Sequence, residues 1–299
     1  MTDNLVQSFE LESSRLRGRI VRLGSVLDDI LSAHKTYPED VLQLTGETLT
    51  LCVMLSSMLK YDGIFTLQAQ GDGPVRMLVA DVATGGKIRA CASFSTERLA
   101  AEPHMGDVAA LLGKGYMAFT VDQGENTERY QGIVELKPGS LIASVQHYFT
   151  QSEQILTGMV MKAARVNGQW RAGGIMVQQM PEDSESYNKG ESNFHEDNWR
   201  RTMVLLGSAR DEELVDPSLG AEDLLYRLFH EEGVRVYEAQ ELEKTCRCSP
   251  ERVANILSTM SDRDIDDMVV DGKIVMTCEF CSRDYTFDPV DFKKGETRP

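Results

Sequence analysis

No stretch of the 299-residue chain approaches the run of about 20 apolar residues that a membrane-spanning helix needs, so no membrane partner is expected. The opening Met1-Thr-Asp-Asn-Leu-Val-Gln lacks the basic and apolar regions of a secretory signal, which points to the cytoplasm. Positive charge is scarce: 31 Lys and Arg stand against 47 Asp and Glu, a formal net charge of -16. Such a chain repels phosphate backbones at long range, and with no basic stripe to oppose the average, nucleic acid is not an expected partner. Nucleotide motifs are missing too. Gly71-Asp-Gly-Pro74 has no following Gly-Lys-Ser/Thr, and Gly113-Lys-Gly-Tyr-Met has neither the earlier glycine nor the later hydroxyl. The first is read as a hairpin turn and the second as the start of a strand, and no enzymatic activity is expected.

What is present is the composition of a globular protein, 41% hydrophobic and 26% charged, long enough for a large domain and a smaller one. Leu42, Leu49, Val53, Leu55, Met58 and Leu59 mark a core helix over 42–59 that contains Cys52. Alternating or extended patterns at 64–70, 75–82, 88–94, 116–122, 130–135 and 173–178 predict strands, and Leu141, Val145, Tyr148 and Phe149 predict a helix covering a sheet face. The fold class is therefore α+β, a mixed sheet-and-helix domain over 1–180. Cys52 and Cys91 lie in apolar or strand-like settings and are read as small core residues.

Composition shifts after Met180. The stretch from Pro181 to Asn198 is polar, acidic and almost free of aliphatics, too poor to support its own core. Trp199, Met203 and Leu206, then Leu224, Leu225, Leu228 and Phe229, share helical faces that need a surface to cover them. Residues 181–235 thus read as a linker, acidic and then helical.

The final segment, 236–299, carries Cys246-Arg-Cys248 and Cys278-Glu-Phe-Cys281. Four thiolates satisfy a tetrahedral zinc ion with no open position, which makes one closed metal site per chain and argues against metal hydrolysis. The C-x-x-C spacing suits a tight knuckle, and the C-x-C spacing places two sulfurs on one face of an extended strand. Between the pairs, Ser249-Pro250 opens a helix with a stripe of Val253, Ile256, Leu257 and Met260; Ser261 with Asp264 opens a second; Asp271-Gly272 turns before a strand. The apolar content is thin, so metal binding is expected to supply much of the folding free energy. Oxidation of closely paired thiolates can also form local disulfides and expel the ion. His230, next to Glu231-Glu232, is a spare ligand that a filled thiolate shell does not need.

The two cysteine pairs and the approach to them, Leu224-Leu-Tyr-Arg-Leu-Phe-His-Glu-Glu-Gly-Val-Arg-Val-Tyr, resemble the bacterial redox-regulated holdase chaperones of the heat-shock protein thirty-three family. So do Leu55-Ser-Ser-Met-Leu-Lys-Tyr-Asp-Gly, Leu67-Gln-Ala-Gln-Gly-Asp-Gly-Pro and Tyr148-Phe-Thr-Gln-Ser-Glu-Gln. The resemblance implies a substrate-binding domain, a metastable helical linker folded over it, and a zinc-binding redox switch. It further implies that hypochlorous acid, or peroxide with heat, joins Cys246 to Cys248 and Cys278 to Cys281 and releases zinc. The switch and linker then unfold, and the exposed surface holds unfolding client proteins without ATP; oxidised members also form homodimers.

Three other readings of the cysteines stand beside this one. They are buried or disulfide-linked without metal; they form a structural zinc ribbon of a nucleic-acid or ribosome-associated protein, against the net charge; or Cys278 and Cys281 form the catalytic pair of a thiol oxidoreductase, although that motif normally opens a helix.

Overall fold

Helix α2 (Glu39–Ser56) organises most of the core. Fourteen of its eighteen residues are buried, and the other four, Glu39, Asp40, Gln43 and Glu47, make only a narrow polar stripe. Three threonines that would otherwise be costly inside it return their hydroxyls to carbonyls one turn back, Thr45 to Val41, Thr48 to Leu44 and Thr50 to Gly46, at 2.7–2.8 Å. The helix starts and ends earlier than the expected 42–59. Pro38 is its N-cap, with Glu39 and Asp40 in the first turn favoured by the helix dipole. Past Ser56 the chain tightens into short turns that leave Met58 at the core edge and Leu59 44% exposed.

The computed structural model describes residues 3–101, 107–124, 129–180 and 191–293. The strands are β1 (Asn4–Leu11), β2 (Leu16–Leu23), β3 (Ile64–Gly71), β4 (Val75–Ala83), β5 (Lys87–Phe94), β6 (Gly115–Asp122), β7 (Tyr130–Glu135), β8 (Thr157–Val166), β9 (Gln169–Gln179), β10 (Val234–Glu241), β11 (Glu243–Lys244), β12 (Val269–Val270), β13 (Lys273–Thr277) and β14 (Asp284–Phe287). The remaining helices are α1 (Ser25–Leu31), α3 (Thr96–Ala101), α4 (Val108–Leu112), α5 (Leu141–Tyr148), α6 (Glu191–Gly207), α7 (Asp211–Val215), α8 (Ala221–Phe229), α9 (Pro250–Thr259) and α10 (Asp262–Asp267). The α+β class holds. Among the described residues, no helix is long and apolar enough to cross a membrane.

The chain divides into two compact units, Met1–Lys244 and Thr245–Pro299. In the first, an antiparallel sheet ordered β10-β1-β2-β9-β8 and a second ordered β11-β5-β4-β3-β6-β7 both contact α2. The alternating strands β3 to β7 lie where their patterns predict. Strands β1, β2, β8 and β10 have no counterpart among the sequence expectations. In Leu16–Leu23 three arginines interrupt the apolar run, yet Arg22 is itself buried. Strand β10 crosses the sequence-based boundary at 235/236 and pairs with β1.

Part of the linker, 181–190, lies outside the described residues. From Glu191 the chain is helical, and α6, α7 and α8 cover the face of the first sheet that points away from α2. Leu206, Leu214, Leu224, Leu225, Leu228 and Phe229 form one cluster with Phe9, Ile20, Ile175 and other sheet residues, and Trp199 and Met203 pack against it. Gly158 on β8 permits that approach, since a Cβ there would meet Met203 Sδ at 2.3 Å.

Two polar anchors fasten these helices. Arg22, buried in β2, donates to the carbonyls of Glu213 at 3.0 Å, Leu214 at 3.1 Å and Asp216, while Arg171 donates to that of Val215 at 2.8 Å. They satisfy carbonyls at the C-terminal end of α7 that have no partner within the helix. At the other anchor, buried Glu232 accepts from Arg201 Nε at 2.6 Å and Nη2 at 2.9 Å, and from the Ser14 hydroxyl.

Candidate metal centre

The second unit has very little core. Leu257, Ile265 and Ile274 are fully buried, with Val253, Met260, Met268, Phe287 and others packed partly around them. Ile256, expected on the buried stripe of α9, is 57% exposed: the turn of α9 that faces the sheet β12-β13-β14 is narrow enough for Leu257 alone to be sealed. Fully burying a large apolar side chain contributes about 1.5–3 kcal/mol, whereas fixing each residue's backbone costs roughly 1–2 kcal/mol. Three sealed side chains leave the unit short of apolar stabilisation, and its four cysteines lie together beside this small core.

Strand β13 leads into Cys278, and the chain reverses in a knuckle before β14. Cys278 N–H donates to the Arg283 carbonyl at 2.9 Å, Ser282 N–H to the Cys278 carbonyl at 2.8 Å, and Ser282 takes a left-handed φ of 53°. This is the tight turn the C-x-x-C spacing calls for. The Cys278–Cys281 knuckle lies between β13 and β14 and does not open a helix, unlike the usual setting of a catalytic C-x-x-C pair.

Cys246 and Cys248 sit in an irregular loop between β11 and α9, not on the strand expected for them. Ser249 caps α9 through Arg252 N–H at 3.3 Å, and the Arg252 side chain donates to the Arg247 carbonyl at 2.9 Å, so the loop is folded against the helix start. The two sulfurs still face one point, 3.3 Å apart.

All four ligand atoms lie within 4.8 Å of one another. Cys246 Sγ is 3.6 Å from Cys278 Sγ, and Cys248 Sγ is 3.5 Å from Cys281 Sγ. A tetrahedral S4 site with bonds of about 2.3 Å has sulfur–sulfur edges of about 3.8 Å, so the arrangement fits a thiophilic metal ion. Burial acts to raise the Cys246 thiol, but hydrogen bonds from the Cys248 amide and the neighbouring thiols outweigh it and bring the group down to about 7. Burial pushes Cys281 up to about 12, with hydrogen bonds to the neighbouring thiols adding to it, and burial raises Cys278 as well.

One further group belongs to the site. Tyr285 on β14 donates its hydroxyl to Cys248 Sγ at 3.0 Å and is only 9% exposed. Sequence spacing carries no signal for it, because the contact depends on the β13–β14 register. The other candidates fall elsewhere. Cys52 is fully buried, its Sγ 3.3 Å from the Ala80 carbonyl, and desolvation holds its pKa well above the ordinary thiol value; Cys91 is buried in β5. His230 belongs to the first unit and meets the Tyr226 carbonyl at 3.1 Å. In the Gly71–Pro74 turn, a Cβ on Gly73 would lie 2.4 Å from the Leu111 carbonyl, so glycine there serves close packing and leaves no room for a phosphate.

A family model described as Hsp33 protein matches residues 4–288. The chain belongs to the Hsp33 family. A 33 kDa chaperonin from Caulobacter vibrioides is 39% identical over 295 residues, covering 96% of this chain and 95% of the relative. One from Escherichia coli is 35% identical over 281 residues, covering 94% and 90%. The crystal structure of the 33 kDa chaperonin of Thermotoga maritima matches with a TM-score of 0.79 at 22% identity, across 97% of this chain and 96% of that one, and so shares the fold. Hsp33 membership and the relatives' common name support a chaperone function.

Proposed function

We propose that the protein is a redox-regulated, ATP-independent holdase, inactive while reduced and metal-bound, with the metal being one zinc ion per chain held by Cys246, Cys248, Cys278 and Cys281. The observation that carries this reading is the convergence of four oxidisable sulfurs within 4.8 Å in a unit whose own core is too small to hold it. Zinc, when bound, supplies a closed tetrahedral crosslink whose binding free energy in small domains reaches roughly 10–16 kcal/mol.

Oxidation joins Cys246 to Cys248 and Cys278 to Cys281. The four thiolates give up four electrons; two molecules of peroxide each accept two electrons and two protons and leave as water. Disulfide sulfurs no longer hold the ion, and the second unit loses its main stabiliser. The sequence closeness of each pair supports this pairing, and Cys246 to Cys248 is the shortest of the measured separations. In this reading, residues 181–235 are the releasable linker, and its departure uncovers the apolar face of strands β1, β2, β9 and β8 in the 1–180 domain for unfolding clients. The setting is the cytoplasm under oxidative or heat stress, with homodimers forming after oxidation and no role for nucleic acid.

The test is a zinc and free-thiol count on the purified protein before and after peroxide at raised temperature, read beside light scattering from a thermally unfolding test protein. One zinc released and four thiols lost, together with suppressed scattering, is the expected result. Zinc release without suppression refutes the switch, and suppression by the reduced protein refutes the regulation.

A further inference from the structure

The first unit contains a cavity of about 250 Å³ whose wall includes the rings of Phe65, Phe119, Tyr130, Tyr148 and Phe149 together with Glu153. Its construction is local. Helix α5 ends at Tyr148, and Phe149–Glu153 form a single π turn in which Gln154 N–H donates to the Phe149 carbonyl, followed by Ile155 N–H to the same carbonyl at 3.0 Å, with Gln154 at a left-handed φ of 56°. The wide turn sends Phe149 into the core and leaves Glu153 at the surface. Inserted π turns of this kind recur at functional sites.

Glu153 is held in place at the cavity wall. It accepts from the Tyr148 hydroxyl at 2.7 Å and the Tyr130 hydroxyl at 3.4 Å, and those two hydroxyls lie 3.2 Å apart. Burial, with hydrogen bonds to Tyr130 and Glu153, raises the Tyr148 pKa and keeps its hydroxyl a donor. Among the described residues, no lysine or arginine lines the cavity. An anchored carboxylate beside five aromatic rings is the chemistry that selects an organic cation. The volume lies below the roughly 300–1,000 Å³ of small-molecule sites, yet it accepts one long side chain, and Met58 and Leu59 on the same wall offer apolar contact for a methylene stem.

We propose that this cavity takes the side chain of a lysine or arginine presented by an extended, apolar segment of a client protein, the stem against Met58 and Leu59 and the cationic tip between the aromatic rings and Glu153. The proposal rests on the client-binding reading above and deepens it. The cavity is open in the structure described, so it acts as a weak anchor in either redox state, to which the surface released by oxidation adds area. The net charge of -16 favours encounter with basic segments.

Four fluorescein-labelled peptides of one leucine–serine framework, carrying arginine, citrulline, norleucine or glutamate at the centre, test it by fluorescence anisotropy against the reduced, zinc-loaded full chain. The arginine peptide should bind about five- to tenfold more tightly than the citrulline and norleucine peptides, the scale of a cation–π contact plus an exposed ion pair. Glu153→Gln should abolish that preference without changing the melting temperature, and only the arginine peptide should shift the Met58 methyl resonance. Equal binding of arginine and norleucine peptides, a preference surviving in Glu153→Gln, or no saturable binding of any peptide overturns the assignment. If the preference is absent while the oxidised protein still suppresses aggregation, the cavity assignment falls and the holdase reading stands; preference without suppression does the reverse.

Discussion

Replacing Glu232 by glutamine keeps the shape of the side chain and removes its charge from the anchor that joins α6 to the loop after β1. The carboxylate is 3% exposed and receives two hydrogen bonds from Arg201 and one from Ser14. Glutamine retains one acceptor, and the Ser14 hydroxyl can rotate to receive its amide, so the net loss is one charge-assisted bond, about 1.5–3 kcal/mol. Arg201 is 51% exposed and regains water when released, which brings the cost toward the lower end, about 1.4 kcal/mol, or a factor of ten in the opening equilibrium. Native-state hydrogen exchange on the reduced, zinc-loaded protein reads this directly. Amides of α6 should exchange about tenfold faster in Glu232→Gln, with those of α2 unchanged. Unchanged α6 exchange would show that the apolar cluster alone holds the helix, and equal acceleration in α2 would show a global loss of stability; either result refutes an independently opening linker.

Acid should act on the same contacts. Hydrogen bonds from Arg201 hold Glu232 below the usual carboxylate range, and those from Arg210 do the same for Glu213. A depressed carboxylate contributes stability that is complete above the ordinary glutamate value of about 4.3 and fades as pH falls through the folded-state value; the protection of α6, corrected for the intrinsic exchange rate at each pH, should therefore fall on acidification below pH ~4.3 before that of α2, and simultaneous loss counts against the anchors. Cys281→Ser should abolish stoichiometric zinc and collapse the NMR dispersion of Ile265 and Ile274 methyls while the amides of α2 keep their protection; a folded, metal-free second unit would contradict the small-core argument. Tyr285→Phe should weaken zinc affinity by about tenfold in chelator competition, the lower end for loss of an outer-sphere hydrogen bond, and an unchanged affinity would show that the bond to Cys248 carries no weight.

The thiol cluster was legible because its geometry is written in short spacings: a C-x-x-C knuckle and a C-x-C pair converge with only local folding, and Ser249-Pro250, Ser261 with Asp264, and Asp271-Gly272 each specify their own cap or turn. Strands β3 to β7 were legible by alternation. What was hidden depends on partners distant in sequence. Strand β2 carries Arg22 in a buried position because its guanidinium finds carbonyls of α7 nearly two hundred residues later, and Glu232 is buried because Ser14 and Arg201 come to it. Tyr285 is likewise set by strand register. Cys246 and Cys248 show a subtler limit, since the spacing suited a strand and the loop reached the same convergence through the α9 cap.

The proposed switch needs a route from the sulfurs to α6, and covalent continuity provides one through elements of low burial. Cys246 follows β11 almost directly; β11 pairs with β5 through two residues, Lys244 donates to the Asp29 carbonyl, and Leu242 just before it is buried in the main cluster. Before it comes β10, an edge strand with no fully buried residue and a register shift against β1 between Gln7 and Phe9. Gln7 then links β10 to α8, donating to the Tyr237 carbonyl at 3.0 Å and to Glu222 at 3.1 Å, and α8 shares its apolar cluster with α6. Elements with few buried contacts open at the lowest free energy, so in the proposed switch loss of order at the cysteines would pass back through β10, with Leu242 the buried side chain on the way that must give way. Opening along that path uncovers Phe9, Ile20 and Ile175 on strands still paired with their neighbours. A client would meet a formed apolar surface, which costs less chain entropy to bind than an unfolded segment of the same composition.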